Sequence, residues 1–105
     1  MISQLEQITN VITERFDVDK LILFGSVARG NKVDENSDID LIVIIDTEKD
    51  LLDVAARIRS ELRTFPYAFD ILVRTPEMFK REKSEYWTVF SQAEKEGTVL
   101  YEKAS

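Results

Sequence analysis

The 105-residue sequence contains no cysteine and no histidine. Without cysteine there is no disulfide, no thiolate zinc site and no cysteine nucleophile, and without histidine there is no imidazole base or metal ligand. Any chemistry must therefore use carboxylates, hydroxyls, amines and bound ions. Proline and glycine are also scarce, with two and three residues, and no low-complexity tract occurs, as is typical of an ordered globular protein.

Long apolar runs are missing as well. No segment approaches the length of a membrane span, and Met1–Glu6 lacks the basic start and apolar core of a signal peptide. We therefore expect a cytoplasmic protein with no membrane partner. The formal net charge of -6 argues against direct nucleic-acid binding, which usually depends on a basic surface. The length predicts a single domain, 1–105.

The spacing of apolar residues predicts an α/β (α+β) domain with a small mixed, largely antiparallel sheet flanked by helices. The first two strands are expected to pair antiparallel, because their connection is too short for a parallel crossover with a full helix. In chain order, the predicted elements are a helix Ser3–Arg15, strands Lys20–Phe24 and Asp38–Ile45, a helix Lys49–Arg63, a strand Ala68–Val73, a helix Pro76–Lys83, a helix near Tyr86–Ala93 and an edge strand Thr98–Tyr101.

A glycine-containing turn, Gly25–Gly30, follows the first predicted strand. Gly25 allows a tight turn, and Ser26 can cap a helical turn whose free backbone N–H groups and hydroxyl face an anion. Arg29 adds a positive charge that suits phosphate oxygens, although a surface ion pair with a nearby carboxylate is an equally natural role. The turn is therefore a candidate triphosphate site.

Three aspartates occur within predicted apolar strands. Asp38 and Asp40 are two residues apart, so both side chains should project from one face while Ile39 enters the core. Asp70 has the same setting in the third strand. Neighbouring carboxylates repel each other unless a cation lies between them, and Mg²⁺ prefers oxygen ligands. Three carboxylates can hold two such ions for displacement at phosphorus.

These segments resemble the minimal nucleotidyltransferases of the DNA polymerase β-like superfamily. The resemblance rests on Gly25–Gly30, on Ser37–Leu41 and on Asp70 within Phe69–Val73. It implies the polymerase β-like fold and transfer of a nucleoside monophosphate, with AMP from ATP the expected donor chemistry. It further implies that Asp38, Asp40 and Asp70 hold two Mg²⁺ ions, that Asp70 accepts the proton of the attacking hydroxyl, and that Gly25 and Ser26 bind the β and γ phosphates.

Small single-domain members of this group resemble the antitoxins of two-gene prokaryotic modules. The partner implied by that resemblance is a HEPN-type ribonuclease toxin, and the implied acceptor is one of its tyrosines. Two alternatives remain open. The first is a non-catalytic nucleotide-binding antitoxin that masks its partner sterically, although masking alone needs none of the three aspartates. The second is a small-molecule nucleotidyltransferase of the aminoglycoside-modifying kind, which is disfavoured because such enzymes carry an additional acceptor domain.

Two further groups of residues are assigned no site role. Tyr86, Trp87 and Phe90 have the spacing of a helix that packs on the sheet. Lys80, Arg81 and Lys83 form a basic cluster that is typical of a solvated helix face.

Overall fold

The computed structural model describes residues 3–25, 38–82, 84 and 97–104. Within these ranges the chain forms the following elements in order: α1 (Gln4–Arg15), β1 (Lys20–Phe24), β2 (Asp38–Ile44), α2 (Leu51–Glu61), β3 (Ala68–Arg74), α3 (Pro76–Glu82) and β4 (Thr98–Glu102). The predicted order of these seven elements is confirmed, and their ends lie within two residues of the predicted ones. The helix predicted near Tyr86–Ala93 lies outside the described residues.

Helix α2 begins two residues later than its apolar pattern indicates. The carboxylate of Asp50 accepts hydrogen bonds from the backbone N–H groups of Leu52 at 2.9 Å and Asp53 at 3.3 Å. An aspartate in this position satisfies N–H groups that have no partner within the helix. Asp50 is therefore the N-cap, and the first helical residue is Leu51 rather than Lys49.

The four strands form one mixed sheet with the order β3-β2-β1-β4. β1 pairs antiparallel with both β2 and β4, whereas β2 and β3 are parallel. The predicted antiparallel pairing of the first two strands is therefore confirmed. The parallel pair is connected through α2, as expected for a crossover between parallel strands.

One face of the sheet packs against α1 and α2 and forms the main core. Its largest fully buried side chains include Ile8, Ile12, Leu21, Ile39, Leu41, Ile58 and Leu62. A second apolar cluster on the opposite face joins Phe79 of α3 to Ile22, Ile42 and Ile44.

Leu52 is an apolar residue of α2 that does not join the core, since 81% of it is exposed. The stripe that contacts the sheet passes instead through Val54, Ala55 and Ile58. Leu52 lies in the first turn, two residues after the N-cap, on the outward side of the helix. No helix in the described ranges has the length and apolar character needed to cross a bilayer.

Candidate active site

The sheet brings the three candidate aspartates to one of its ends. Asp38 and Asp40 lie at the start of β2, and the parallel register pairs Asp40 directly with Asp70 of β3. Neighbouring strands are about 4.8 Å apart, so the backbones of Asp40 and Asp70 are adjacent although 30 residues separate them in sequence. The structure thus assembles the predicted carboxylate trio from two strands.

The three carboxylates share a sheet face. Side chains alternate along a strand, so Asp38 and Asp40 project away from the fully buried Ile39 and Leu41. Since Asp40 and Asp70 are register partners, Asp70 belongs to the same face. Asp38 and Asp70 are exposed, whereas Asp40 is half-buried between them. This face is therefore reachable by a ligand at its carboxylate end.

The electrostatics of the site centre on Asp40. Burial raises the pKa of its carboxyl group above the ordinary value of 3.8, and the negative charges of Asp70 and Asp38 raise it further. Each cause disfavours the ionised form of Asp40. A cation placed among the three carboxylates would oppose the two charge contributions, because it favours the ionised form of Asp40.

Gly25 lies against this carboxylate. Its backbone has a positive φ of 79°, which residues with a side chain rarely adopt. A Cβ atom at this position would collide with Oδ2 of Asp40 and lie 3.1 Å from Cγ and 3.5 Å from Cβ of the same residue. Glycine is therefore required both by the backbone conformation and by the close approach of Asp40. The left-handed conformation of Gly25 fits the turn predicted to begin there, whose other residues lie outside the described ranges. Its close approach to Asp40 was not expected.

The donor set fits a divalent ion of the Mg²⁺ type. All three side chains offer carboxylate oxygens, the ligands that hard cations prefer. Besides burial, the charges of Asp70 and Asp38 raise the pKa of Asp40, so the three carboxylates are close enough to affect one another. In the described part of the chain, no group of three or more Asp, Glu, His or Cys side chains is already arranged around an ion position. The exposed side chains of Asp38 and Asp70 would therefore have to change rotamer to meet a shared ion.

Several residues of the predicted site are not described by the structure. Ser26, Arg29 and Ser37 all lie in 26–37, outside the described residues. The assignment of Ser26 and Arg29 to phosphate binding stays a prediction.

Two apolar side chains beside the aspartates were not singled out from the sequence. Phe24 is the register partner of Asp40 on β1, and Leu72 follows Asp70 by two residues on β3. Both are half-buried and pack against the cluster that contains Phe79. The alternation of side chains along β1 and β3 was the signal that could have placed them on the aspartate face.

Comparisons with known proteins agree with this geometry. Residues 6–105 match the family model described as "Polymerase beta, Nucleotidyltransferase". A curated protein of Methanocaldococcus jannaschii, named "Putative protein adenylyltransferase", is 28% identical over 100 residues, covering 92% of this chain and 94% of the relative. A solved structure described as "Crystal structure of the toxin-antitoxin with AMP-PNP" shares the fold, with a TM-score of 0.60 and 20% identity, over 96% of this chain and 75% of that chain.

The family match covers nearly the whole chain, and the fold places the carboxylates predicted from the sequence at one end of the sheet. The chain therefore belongs to the polymerase beta nucleotidyltransferase family.

Proposed function

We propose that this nucleotidyltransferase transfers AMP from ATP to a hydroxyl group of a protein, in a reaction that depends on Mg²⁺. The observation that carries the proposal is the register of Asp40 with Asp70 beside Asp38, with Gly25 against Asp40. The name of the Methanocaldococcus jannaschii relative supports adenylyl transfer to protein. The AMP-PNP of the structural neighbour supports an adenine nucleotide as donor.

The carboxylates have separate roles in this proposal. Asp38 and Asp40 would hold Mg²⁺, and Asp70 would contribute a further ligand. When bound, Mg²⁺ supplies positive charge that neutralises the triphosphate and the departing pyrophosphate. Gly25 and Ser26 would bind the β and γ phosphates through backbone N–H groups and a hydroxyl. Arg29 is a second candidate for phosphate contact.

The transfer itself forms one bond and breaks one. The acceptor oxygen attacks the α-phosphorus of ATP in line with the bond to the β-phosphate, and that bond breaks to release pyrophosphate. The proton of the acceptor hydroxyl passes to the carboxylate of Asp70, which is exposed on the same face as Asp40 and can reach an incoming group. We propose two Mg²⁺ ions, because three carboxylates can hold that number for displacement at phosphorus.

The proposed acceptor is a tyrosine of a HEPN-type ribonuclease toxin, which makes this protein its antitoxin. The resemblance to minimal nucleotidyltransferases of two-gene modules supports this partner. The toxin-antitoxin neighbour agrees with it at the level of the fold. Adenylylation would add a bulky anionic group to the toxin.

Intact-mass spectrometry of the protein encoded beside this gene tests the proposal. The partner is incubated with ATP and Mg²⁺ in the presence of the wild type, of a variant with Asp38→Asn and Asp40→Asn, or of Asp46→Asn. Asp46 is an exposed aspartate beyond the opposite end of β2, so it is a matched control. A mass gain in units of AMP is expected with the wild type and with Asp46→Asn only.

The alternative of steric masking predicts a different result in the same experiment. In that case no mass is gained, and the double variant still forms a stable complex and still suppresses the ribonuclease. Peptide mapping of a modified partner identifies the acceptor side chain, and a modified residue other than tyrosine would overturn that part of the proposal.

A further inference from the structure

In the described part of the chain, β4 is an edge strand of the sheet. The strand order β3-β2-β1-β4 places it at one side, and its hydrogen bonds to described residues go to β1 alone. The N–H and C=O groups on the outer side of such a strand can pair with another chain. β4 contains neither the proline nor the lysine that often protects an edge. An additional strand can therefore pair with it.

Glu102 directs its backbone groups to this open edge. The N–H of the next residue, Lys103, donates to the carbonyl of Asp19 just before β1, at 2.8 Å. In an antiparallel pair, residues that are hydrogen-bonded to the neighbouring strand alternate with residues that are not, so the N–H of Glu102 points away from β1. Val99 adds an apolar side chain that is 49% exposed. β4 thus offers both a hydrogen-bond donor and an apolar surface at the edge.

A groove of about 560 Å³ lies beside this edge, between α1 and β4. Because β4 itself contributes to the groove, a strand paired with β4 would lie next to it. Side chains alternate along a strand, so every second side chain of the added strand could enter the groove. The described lining consists of Ser3, Leu5, Glu6, Thr9, Asn10, Thr13, Leu100 and Tyr101.

The polar side chains that α1 contributes to this groove mainly accept hydrogen bonds. The hydroxyl of Thr9 donates to the carbonyl of Leu5 at 2.8 Å, and that of Thr13 donates to the carbonyl of Thr9 at 2.9 Å. A hydroxyl has one hydrogen, so both oxygens can now only accept. Glu6 is the only charged residue in the described lining, is exposed and makes no ion pair with a described residue. The groove therefore suits a cationic donor.

We propose that β4 and this groove bind an extended segment of the acceptor protein, which pairs with β4 and places a lysine or arginine side chain in the groove. The identity of this partner rests on the proposed function. The cationic group donates to the carboxylate of Glu6, while the methylene stem of the side chain packs on Leu5 and Leu100, which are half-buried. Pairing with β4 supplies the main-chain hydrogen bonds of the contact.

A second copy of this chain fits the same edge less well. Its own β4 contains no lysine or arginine, so pairing of two β4 strands would leave Glu6 without a cation. Each copy also carries a formal net charge of -6, and two such chains repel each other. A partner with a basic segment avoids both costs.

Binding at this edge leaves the candidate active site open. Neighbouring strands are about 4.8 Å apart, so a strand added to β4 would lie three spacings, or about 14 Å, from β2 and its aspartates. The added strand would not cover the carboxylates, and a neighbouring part of the bound protein could reach them.

Glu102→Pro tests the strand pairing. The affinity of the full chain for the protein encoded beside this gene is measured by isothermal titration calorimetry without ATP, which separates binding from transfer. Proline removes the outward N–H and is tolerated on an edge strand. We expect at least about fivefold weaker binding, because one hydrogen bond is lost. Glu102→Gln keeps the N–H and is the matched control, which should bind like the wild type.

Hydrogen exchange of the wild type measures the same contact without a substitution. The amide of Glu102 should exchange quickly in the free chain and at least about tenfold more slowly in the complex, because a hydrogen-bonded amide is protected. The amide of Lys103 is the internal reference, since it is already hydrogen-bonded to Asp19 in the free chain.

Glu6→Gln tests the cationic side chain. The substitution should weaken binding about tenfold, because a charged acceptor is lost. Added salt should then weaken the wild-type complex more than that of the variant. Glu14→Gln changes an exposed glutamate of α1 that does not line the groove, and it should bind like the wild type.

Four results would overturn the inference. They are the absence of a complex, an unchanged exchange rate of the Glu102 amide in the complex, an affinity that Glu102→Pro and Glu6→Gln both leave unaltered, and protection of the Glu102 amide in a dimer of the free chain, which would assign the edge to a second copy. The proposed function is judged separately by the mass of the partner. A partner that binds at β4 and gains no AMP contradicts only the transfer, whereas one that gains AMP without contacting β4 contradicts only this inference.

Discussion

At the residue scale, Gly25 and Asp40 set the geometry of the end of the sheet that carries the three aspartates. Because Gly25 has no Cβ, its backbone can lie next to the Asp40 carboxylate. A Cβ at this position would collide with Oδ2 of Asp40. The same closeness keeps Asp40 half-buried, and burial is the largest cause of its raised pKa. A turn residue and an acidic residue therefore constrain each other.

Gly25→Ala should lower the free energy of unfolding by about 2 kcal/mol. A residue with a Cβ loses about 1–2 kcal/mol in a left-handed conformation, and the contact with Asp40 adds to this loss. Urea denaturation measures the change. In an Asp40→Ala background the same substitution should be less destabilising, because the carboxyl group is gone. An equal loss of unfolding free energy in both backgrounds would show that the contact with Asp40 does not contribute to the destabilisation.

The raised pKa of Asp40 predicts a specific dependence of stability on pH. A carboxyl group whose pKa is higher in the folded state binds its proton more tightly there, so its stabilising contribution is present below the ordinary value of 3.8 and is lost as pH rises through the folded pKa. Relative to Asp40→Asn, the wild type should therefore become less stable over this rise in pH. Urea denaturation of both proteins along a pH series measures the difference.

Asp70→Asn provides the control for this pH effect. The charge of Asp70 is the second cause of the raised pKa of Asp40. Its removal should reduce the loss of stability that accompanies ionisation of Asp40. If the free energy of unfolding changed with pH in the same way for the wild type and for Asp40→Asn, the predicted electrostatics of the site would be contradicted.

At the element scale, helix ends depend on short polar side chains rather than on the apolar pattern. Ser3 caps α1 by accepting the N–H of Glu6 at 3.1 Å, and Thr75 precedes α3 and accepts the N–H of Met78 at 3.2 Å. Asp50 accepts two N–H groups of α2. Since α2 connects the parallel strands that carry Asp40 and Asp70, its position affects the register between them.

Asp50→Ala should lower the free energy of unfolding by about 1 kcal/mol, because two N–H groups at the start of α2 lose their acceptor. For a domain of this size the melting temperature would fall by about 4–8 °C. Thermal unfolding followed by circular dichroism measures the shift. Glu48→Ala, an exposed acidic residue two positions earlier, is the control and should change the melting temperature little. Equal shifts in the two variants would exclude a specific capping role.

At the scale of the whole molecule, the candidate site exists only in the assembled sheet. The strand order β3-β2-β1-β4 places the two strands with aspartates side by side and puts Gly25, directly after β1, next to Asp40. Folding therefore creates a cluster of like charges, and binding of a cation should favour the folded chain. Metal affinity and stability are consequently linked.

Mg²⁺ should raise the melting temperature of the wild type, and chelation by EDTA should reverse the rise. At a hundredfold excess over the dissociation constant, the expected stabilisation is about 2.7 kcal/mol. The variant with Asp38→Asn and Asp40→Asn should lose this response, and Asp46→Asn should keep it. Differential scanning calorimetry with and without Mg²⁺ measures the effect. The same rise in the double variant would place Mg²⁺ binding elsewhere on this acidic chain.

Much of this arrangement could be predicted from local sequence. Alternating and helical apolar spacing indicated the seven described elements, and the short connection between β1 and β2 indicated their antiparallel pairing, which is confirmed. The spacing of Asp38 and Asp40 placed both on one face, since side chains alternate along a strand. The exposure of Leu52 could not be predicted in this way, because helical spacing alone does not show which of two consecutive leucines in the first turn faces the sheet.

The sequence by itself determined the element types, the family motif and the residues that carry the proposed chemistry, because these follow from short-range spacing and side-chain chemistry. Only the tertiary structure decided that Asp70 pairs with Asp40 and that Gly25 is required by the Asp40 carboxylate. These relations join residues distant in sequence, and strand register, which long-range packing selects, is their physical cause.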